Sequence, residues 1–138
     1  MQNHRFLFIS NEGLSLDLAW RLSDEGHPVR MYVAKPNQRD VGDGFVDKVD
    51  DFHDHLDWAD VIVIDDTLGF GTLSDELRAK GHAVIGGTAY TDRLEDDREF
   101  GQAELHALGI PTLPCANFDD FDDAIAYIHS HPARYVFK

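Results

Sequence analysis

The 138-residue sequence predicts an open α/β domain, a mostly parallel sheet with helices on both faces. Three observations carry the prediction. Short apolar runs without polar alternation have the character of strands buried on both sides. Between them lie stretches whose apolar residues recur at helical spacing. The two kinds of segment alternate along the chain, which makes βαβ units with right-handed crossovers.

The elements follow in order. Phe6 to Ser10 is an unbroken strand, and Asn11-Glu12-Gly13-Leu14-Ser15 makes the turn after it. Leu16, Leu18, Ala19 and Leu22 then fall at helical spacing, with Gly26 closing the helix. Val29 to Val33 is a second strand. Residues 35–44 hold Pro36, Asn37, Gly42 and Gly44 and read as a loop. A short strand is expected over 45–49 and a short helix over 52–58, before the clear strand Val61-Ile62-Val63-Ile64. A helix is predicted over about 73–80, ended by Gly81, then a strand at Val84-Ile85. The spacing predicts further helices over 98–108 and 118–130, the last with Phe121, Ala124, Ile125 and Ile128 on one face. No internal repeat, low-complexity tract or interior linker interrupts the pattern.

Composition narrows the function. Hydrophobic residues make up 43% and aromatics 11%, enough for a real core and neither disordered nor fibrous. No apolar run approaches the roughly eighteen residues of a membrane span. The opening Met-Gln-Asn-His-Arg leads straight into a strand, too short for a signal peptide. A single cysteine, Cys115, excludes an internal disulfide and fits a reducing cytoplasm. The net charge is -14, with 20 Asp against 6 Glu and 8 Arg against 4 Lys. Such a surface repels nucleic acid and anionic lipid, so neither is expected as a partner. Its Asp-rich, Lys-poor balance is that of a halophile's cytoplasmic protein, or simply of an ordinary acidic one.

Three loops leave strand ends, where open α/β sheets bind ligands. In the first, Ser10 to Ser15, free backbone N–H groups and a helix dipole favour an anion, and Gly13 gives room for it. A plain turn with Ser15 or Asn11 as N-cap explains the same residues. The dinucleotide G-x-G-x-x-G spacing and the P-loop are both absent. In the second, 65–71, Asp65 and Asp66 suit sugar hydroxyls or a metal ion, or else a helix cap and a solvated charge, with equal weight. In the third, Gly86-Gly87-Thr88, glycine serves a tight turn or a close ligand. Asp51, His53, Asp54, His55 and Asp57 crowd together, but His53 and His55 lack the i,i+4 spacing of a closed metal site, as do His129 and His131. A solvated polar face is the expectation, with no metal ligands assigned. No nucleophile with an adjacent base is legible, and the catalytic residues stay unassigned.

Several stretches belong together. Ile9 to Trp20, Ala59 to Thr67, Leu77-Arg78-Ala79-Lys80-Gly81, Val84 to Thr88, Leu94-Glu95 with Arg98-Glu99-Phe100, Gly109-Ile110-Pro111-Thr112 and Tyr135 to Lys138 follow in this order. They resemble the N-terminal domain of the phosphoribosylamine–glycine ligase family, purine-pathway ATP-grasp enzymes, over the whole chain. The substrate loops diverge. Leu14-Ser15-Leu16 stands where the family has Arg-Glu-His, Asp65-Asp66-Thr67 where it has Gly-Pro-Glu, and Arg98 where it has a lysine.

The resemblance implies a Rossmann-like pre-ATP-grasp domain over 1–134, with 135–138 starting the hinge strand into an ATP-grasp domain that the 138 residues lack. It implies a ligase that activates a carboxylate with ATP and Mg2+ as an acyl phosphate for attack by an amine. A phosphoribosyl-type small molecule would be bound by Asn11, Gly13, Ser15, Asp65, Asp66, Thr67, Gly86, Gly87 and Thr88. Arg98 and Lys138 would face the nucleotide phosphates, and neither ATP nor Mg2+ is expected on this fragment, which alone should turn over nothing. A helix-surface salt bridge to Glu95 or Glu99 is the plainer role for Arg98. The alternative is a stand-alone receiver-like or flavodoxin-like module holding a metal ion at Asp65 and Asp66.

Overall fold

In the computed structural model, which describes residues 3–66 and 69–137, five strands pair into one sheet. β1 (Phe6–Ser10) lies at its centre. β2 (Val29–Val33) pairs with it on one side and β4 (Val61–Ile64) on the other, and both run parallel to it. The edges are β3 (Asp47–Lys48) beside β2 and β5 (Val84–Ile85) beside β4, again parallel. Strand order is β3-β2-β1-β4-β5, so the direction of winding reverses between β1 and β4.

The unalternated apolar run of β1 has the predicted consequence. Leu7 and Ile9 face one layer with Ile62, Ile64, Phe52 and Leu77, while Phe8 faces the other with Met31, Val33, Val63 and Ala19. Leu77 comes from helix α2 (Gly71–Ala79) and Ala19 from α1 (Leu16–Asp24), so the sheet has helices on both faces. Each fully buried Leu, Ile or Phe contributes roughly 1.5–3 kcal/mol by leaving water.

Contacts divide the chain into residues 1–104 and 105–138. The first unit holds the sheet, α1, α2 and a third helix, α3 (Ala89–Asp96). Helix α4 (Arg98–Ala107) begins in it. The second contains α5 (Phe121–Ser130), whose N-cap Asp120 accepts hydrogen bonds from the N–H groups of Asp122 and Asp123. The Phe118 and Tyr127 rings lie 5.1 Å apart there.

The helices α2 and α3 start against each other. Asp92 of α3 accepts from the N–H groups of Gly69 and Gly71 at the start of α2, at 3.1 and 2.8 Å. Asp75 of α2 accepts from the N–H of Ala89, the first residue of α3, at 2.9 Å. Gly71 has no room for a side chain, because a Cβ there would stand 2.2 Å from the Thr88 carbonyl oxygen.

Several expectations are corrected. The strand expected over 45–49 shrinks to two residues, for Phe45 turns outward against the Trp20 ring. The helix expected over 52–58 is only a 3-10 turn, His53–His55, entered through Asp51, whose carboxylate accepts the His53 N–H. Helix α3 was not expected at all. None of its residues is buried, so it lacks the apolar periodicity that marks a helix in a sequence, and it rests on a capping box in which Thr88 and Thr91 bond reciprocally. Tyr135–Phe137, expected to start a hinge strand, pair with no described strand, and Val136 and Phe137 are 85% and 78% exposed. A strand needs a neighbouring ladder, and no described residue supplies one. The rest of that predicted hinge strand, Lys138, lies outside the described residues.

Candidate functional site

The winding reversal between β1 and β4 puts the loops after these two strands side by side, where sheets of this kind bind their ligands. The first loop runs from Ser10 to Ser15, the second begins Asp65-Asp66. Parallel pairing of Ile9 with Ile64 makes the next residues of the two strands neighbours.

The two loops are laced together by carboxylates. Asp66 Oδ2 accepts from the Asn11 N–H at 2.6 Å and faces the Ser10 hydroxyl at 3.4 Å. Asp65 Oδ2 accepts from both the N–H and the hydroxyl of Ser15, at 2.8 and 2.6 Å. Ser15 is the residue before α1, so this carboxylate sits at the positive end of the helix dipole. The fully buried Ser10 hydroxyl accepts from Gly13 N–H at 2.7 Å and Glu12 N–H at 3.3 Å. Burial pushes the Asp66 carboxyl above the ordinary aspartate range, and the neighbouring Asp65 adds to this, while the Asn11 N–H pulls the other way. Asp65 Oδ1 is buried without a hydrogen-bond partner among the described residues.

Gly13 is needed for the chain itself. Its φ is +79°, and a Cβ would lie 2.7 Å from Val41 Cγ1. Gly86 and Gly87 have no positive φ, so room is their reason. A Cβ on Gly86 would meet Ile64 Cβ at 3.0 Å, and one on Gly87 would meet Thr91 Oγ1 at 2.8 Å. This third loop follows β5, beside β4, and is held by a residue the site predictions passed over. The Arg78 guanidinium donates to the carbonyls of Gly86, Gly87 and Val84 at 2.7, 2.9 and 3.3 Å. Arg78 stands in the last turn of α2, six residues before β5 begins. Thr88 caps α3, its hydroxyl accepting from Thr91 N–H at 3.1 Å.

The structure thus brings Asn11, Gly13, Ser15, Asp65 and Asp66 together, and sets Gly86, Gly87 and Thr88 on the adjoining strand end. Thr67 and Lys138 lie outside the described residues. Arg98 opens α4, is exposed, and stands between Asp97 and Glu99 in sequence. One exposed guanidinium among carboxylates does not make a seat for a triphosphate, so the described residues do not by themselves fit ATP. The crowded histidines go to separate partners, His53 to Asp51 and His55 to Arg30. Among the described residues no three His, Cys, Asp or Glu side chains converge as a metal site. Concavities of about 220 and 360 Å³ are lined, one by Tyr32, Arg39 and Lys48, the other by Gly69 of the second loop with Asp92 and Arg93. Among the described residues no helix is long and apolar enough to cross a membrane.

No family model matches the chain. Over 54% of its length it is 34% identical to the phosphoribosylamine–glycine ligase of Streptococcus pneumoniae, covering 17% of that protein. Over 96% of its length it is 27% identical to the Yersinia pestis phosphoribosylamine–glycine ligase, covering 33% of it. The chain therefore spans about a third or less of the curated relatives it matches. Among solved structures, N5-carboxyaminoimidazole ribonucleotide synthetase from Thermotoga maritima superposes with a TM-score of 0.64 over 91% of this chain and 36% of its own, at 16% identity. That likeness shows the fold. The resemblance read from the motifs is therefore carried along nearly the whole chain, at the low identity of a divergent relative.

Proposed function

We propose that residues 1–134 form the amine-side substrate domain of an ATP-dependent carboxylate–amine ligase of the phosphoribosylamine–glycine ligase type, acting in purine biosynthesis. The observation that supports this most is the similarity to such ligases along 96% of the chain, set on a sheet whose winding reverses where two of the candidate loops meet. In a ligase of this type glycine is the activated carboxylate and phosphoribosylamine the amine. ATP and Mg2+ would supply the activation from an ATP-grasp domain following residues 135–138, and the 138 residues alone are expected to release no ADP.

This chain's own contribution is placement. Ser10, Asp65 and Asp66 fix the first loop, and Arg78 fixes the third, so an amine substrate would meet a preformed edge rather than two mobile turns. Titration of the labelled chain with glycinamide riboside and with glycinamide ribonucleotide, followed by amide chemical shifts, tests the reading. Saturable shifts are expected in residues 10–15 and 86–88. If those amides ignore both compounds, the chain is not the amine-side domain of such a ligase.

A further inference from the structure

The carboxyl ends of β2 and β3 border the concavity of about 220 Å³, which the ligase reading leaves unused. Val33 and Lys48, the last residues of these two strands, both line it. It therefore lies at the end of the sheet where open α/β folds take their ligands. Its volume is several times the roughly 30 Å³ share of one water, more than a bare ion fills.

The sequence builds this hollow. β3 stops after two residues, so the sheet edge ends at Lys48. The Lys48 ammonium then donates to the carbonyls of Arg39 and Val41, at 2.8 and 2.6 Å, and pins the loop after β2 to the strand end. Gly42 and Gly44, at φ +89° and +80°, turn that loop back toward β3.

The hollow presents charge of both signs. Elsewhere in this acidic chain Arg5, Arg21, Lys35 and Arg93 each face a carboxylate. The exposed Arg39 guanidinium, which lines the hollow, has no hydrogen-bond or ion-pair partner among the described residues. Lys48 adds a second positive charge, with the Asp43 carboxylate 3.8 Å from its ammonium. Asp50 lines the hollow too and bonds to no described group. A guanidinium grips a phosphate through paired N–H bonds. Phosphate alone would satisfy the cations and leave the two carboxylates facing like charge. A phosphate that carries hydroxyls satisfies both, because an ionised carboxylate only accepts.

We propose that this concavity binds a sugar phosphate, with the phosphate on Arg39 and Lys48 and the sugar hydroxyls on Asp43 and Asp50. The inference rests on the hollow and its charged side chains, and it stands whether or not the chain serves a ligase. No bond is made or broken there; the site is one of recognition.

The test titrates ribose 5-phosphate into the 138-residue chain at fixed ionic strength, with ribose and inorganic phosphate as the two halves of the probe. Saturable amide shifts are expected in residues 39–43 and 48–50, with ribose 5-phosphate at least about tenfold tighter than either half. Arg39→Met should weaken ribose 5-phosphate by at least about tenfold. Asp50→Asn should weaken ribose 5-phosphate and leave inorganic phosphate no weaker, since it removes a hydroxyl acceptor and a like charge. Where Arg39→Met disturbs the amides of the sheet, Arg39→Lys replaces it. Lysine keeps the charge and gives up the paired grip, so it must also bind more weakly. Silence at residues 39–43 and 48–50 overturns the proposal, as does a folded Arg39 variant that binds ribose 5-phosphate unchanged. Inorganic phosphate binding as tightly as ribose 5-phosphate overturns it in favour of a plain anion site. Shifts confined to residues 10–15 and 86–88 overturn it as well, and they support the ligase reading instead.

Discussion

Ser10 ends β1 as a buried hydroxyl that receives two N–H groups and faces a carboxylate. Replacing it with alanine leaves the Gly13 N–H without its acceptor, and we expect Ser10→Ala to cost about 1–2 kcal/mol in urea unfolding. An unchanged midpoint would mean that water replaces the hydroxyl. A second residue acts through charge. Asp60 accepts from the Arg5 side chain and backbone N–H, which holds its carboxyl at about 2 against an ordinary 3.8. The folded state therefore binds that proton less tightly than the unfolded one. The stability this contributes is complete above the ordinary range and is lost as pH falls through about 2. Thermal melts from pH 5 downward should show Asp60→Asn losing less than wild type in that window. Parallel curves would remove Asp60 from the acid response. Neither role was legible in the sequence, since a serine closing a strand and one aspartate among 20 carry no local mark. Asp65 and Asp66 were legible as a pair at a strand end, but which donors they would meet depended on a loop fifty residues away.

At the scale of elements, the strands were read well because a buried parallel strand announces itself in a run of Val, Ile, Leu and Phe. β1, β2, β4 and β5 fall where the apolar runs are. Helix α3 stayed hidden because it is held by its caps and not by an apolar face. Arg78 shows the same limit, its task being to hold carbonyls at the end of a strand it does not belong to. Arg78→Ala should destabilise the domain by about 2–3 kcal/mol and speed amide exchange around 86–88. Arg78→Lys should recover little, since one ammonium cannot match a guanidinium that spans three carbonyls. Full recovery by lysine would show that charge alone suffices there.

For the whole molecule, the surface carries a net charge of -14, and self-repulsion must oppose folding at low ionic strength. We expect the melting temperature to rise as salt is raised from about 0.01 M to 1 M, as the screening length falls from about 30 to 3 Å. A melting temperature indifferent to salt would rule out the halophilic reading. The open parallel α/β architecture followed from the alternation of segments alone. The strand order did not, because it depends on which side of β1 each crossover packs, and that is settled by the two core layers together.

Asp75 and Asp92 each close the start of the other's helix. Neither helix can fray from its first turn without uncapping its neighbour, so α2 and α3 form a single cooperative opening unit. The amides of Gly71 and Ala89 should then share one protection factor. Anything that seats itself against the turn at 86–88 will be sensed on both helices at once, a latch with two tongues in which neither slides alone.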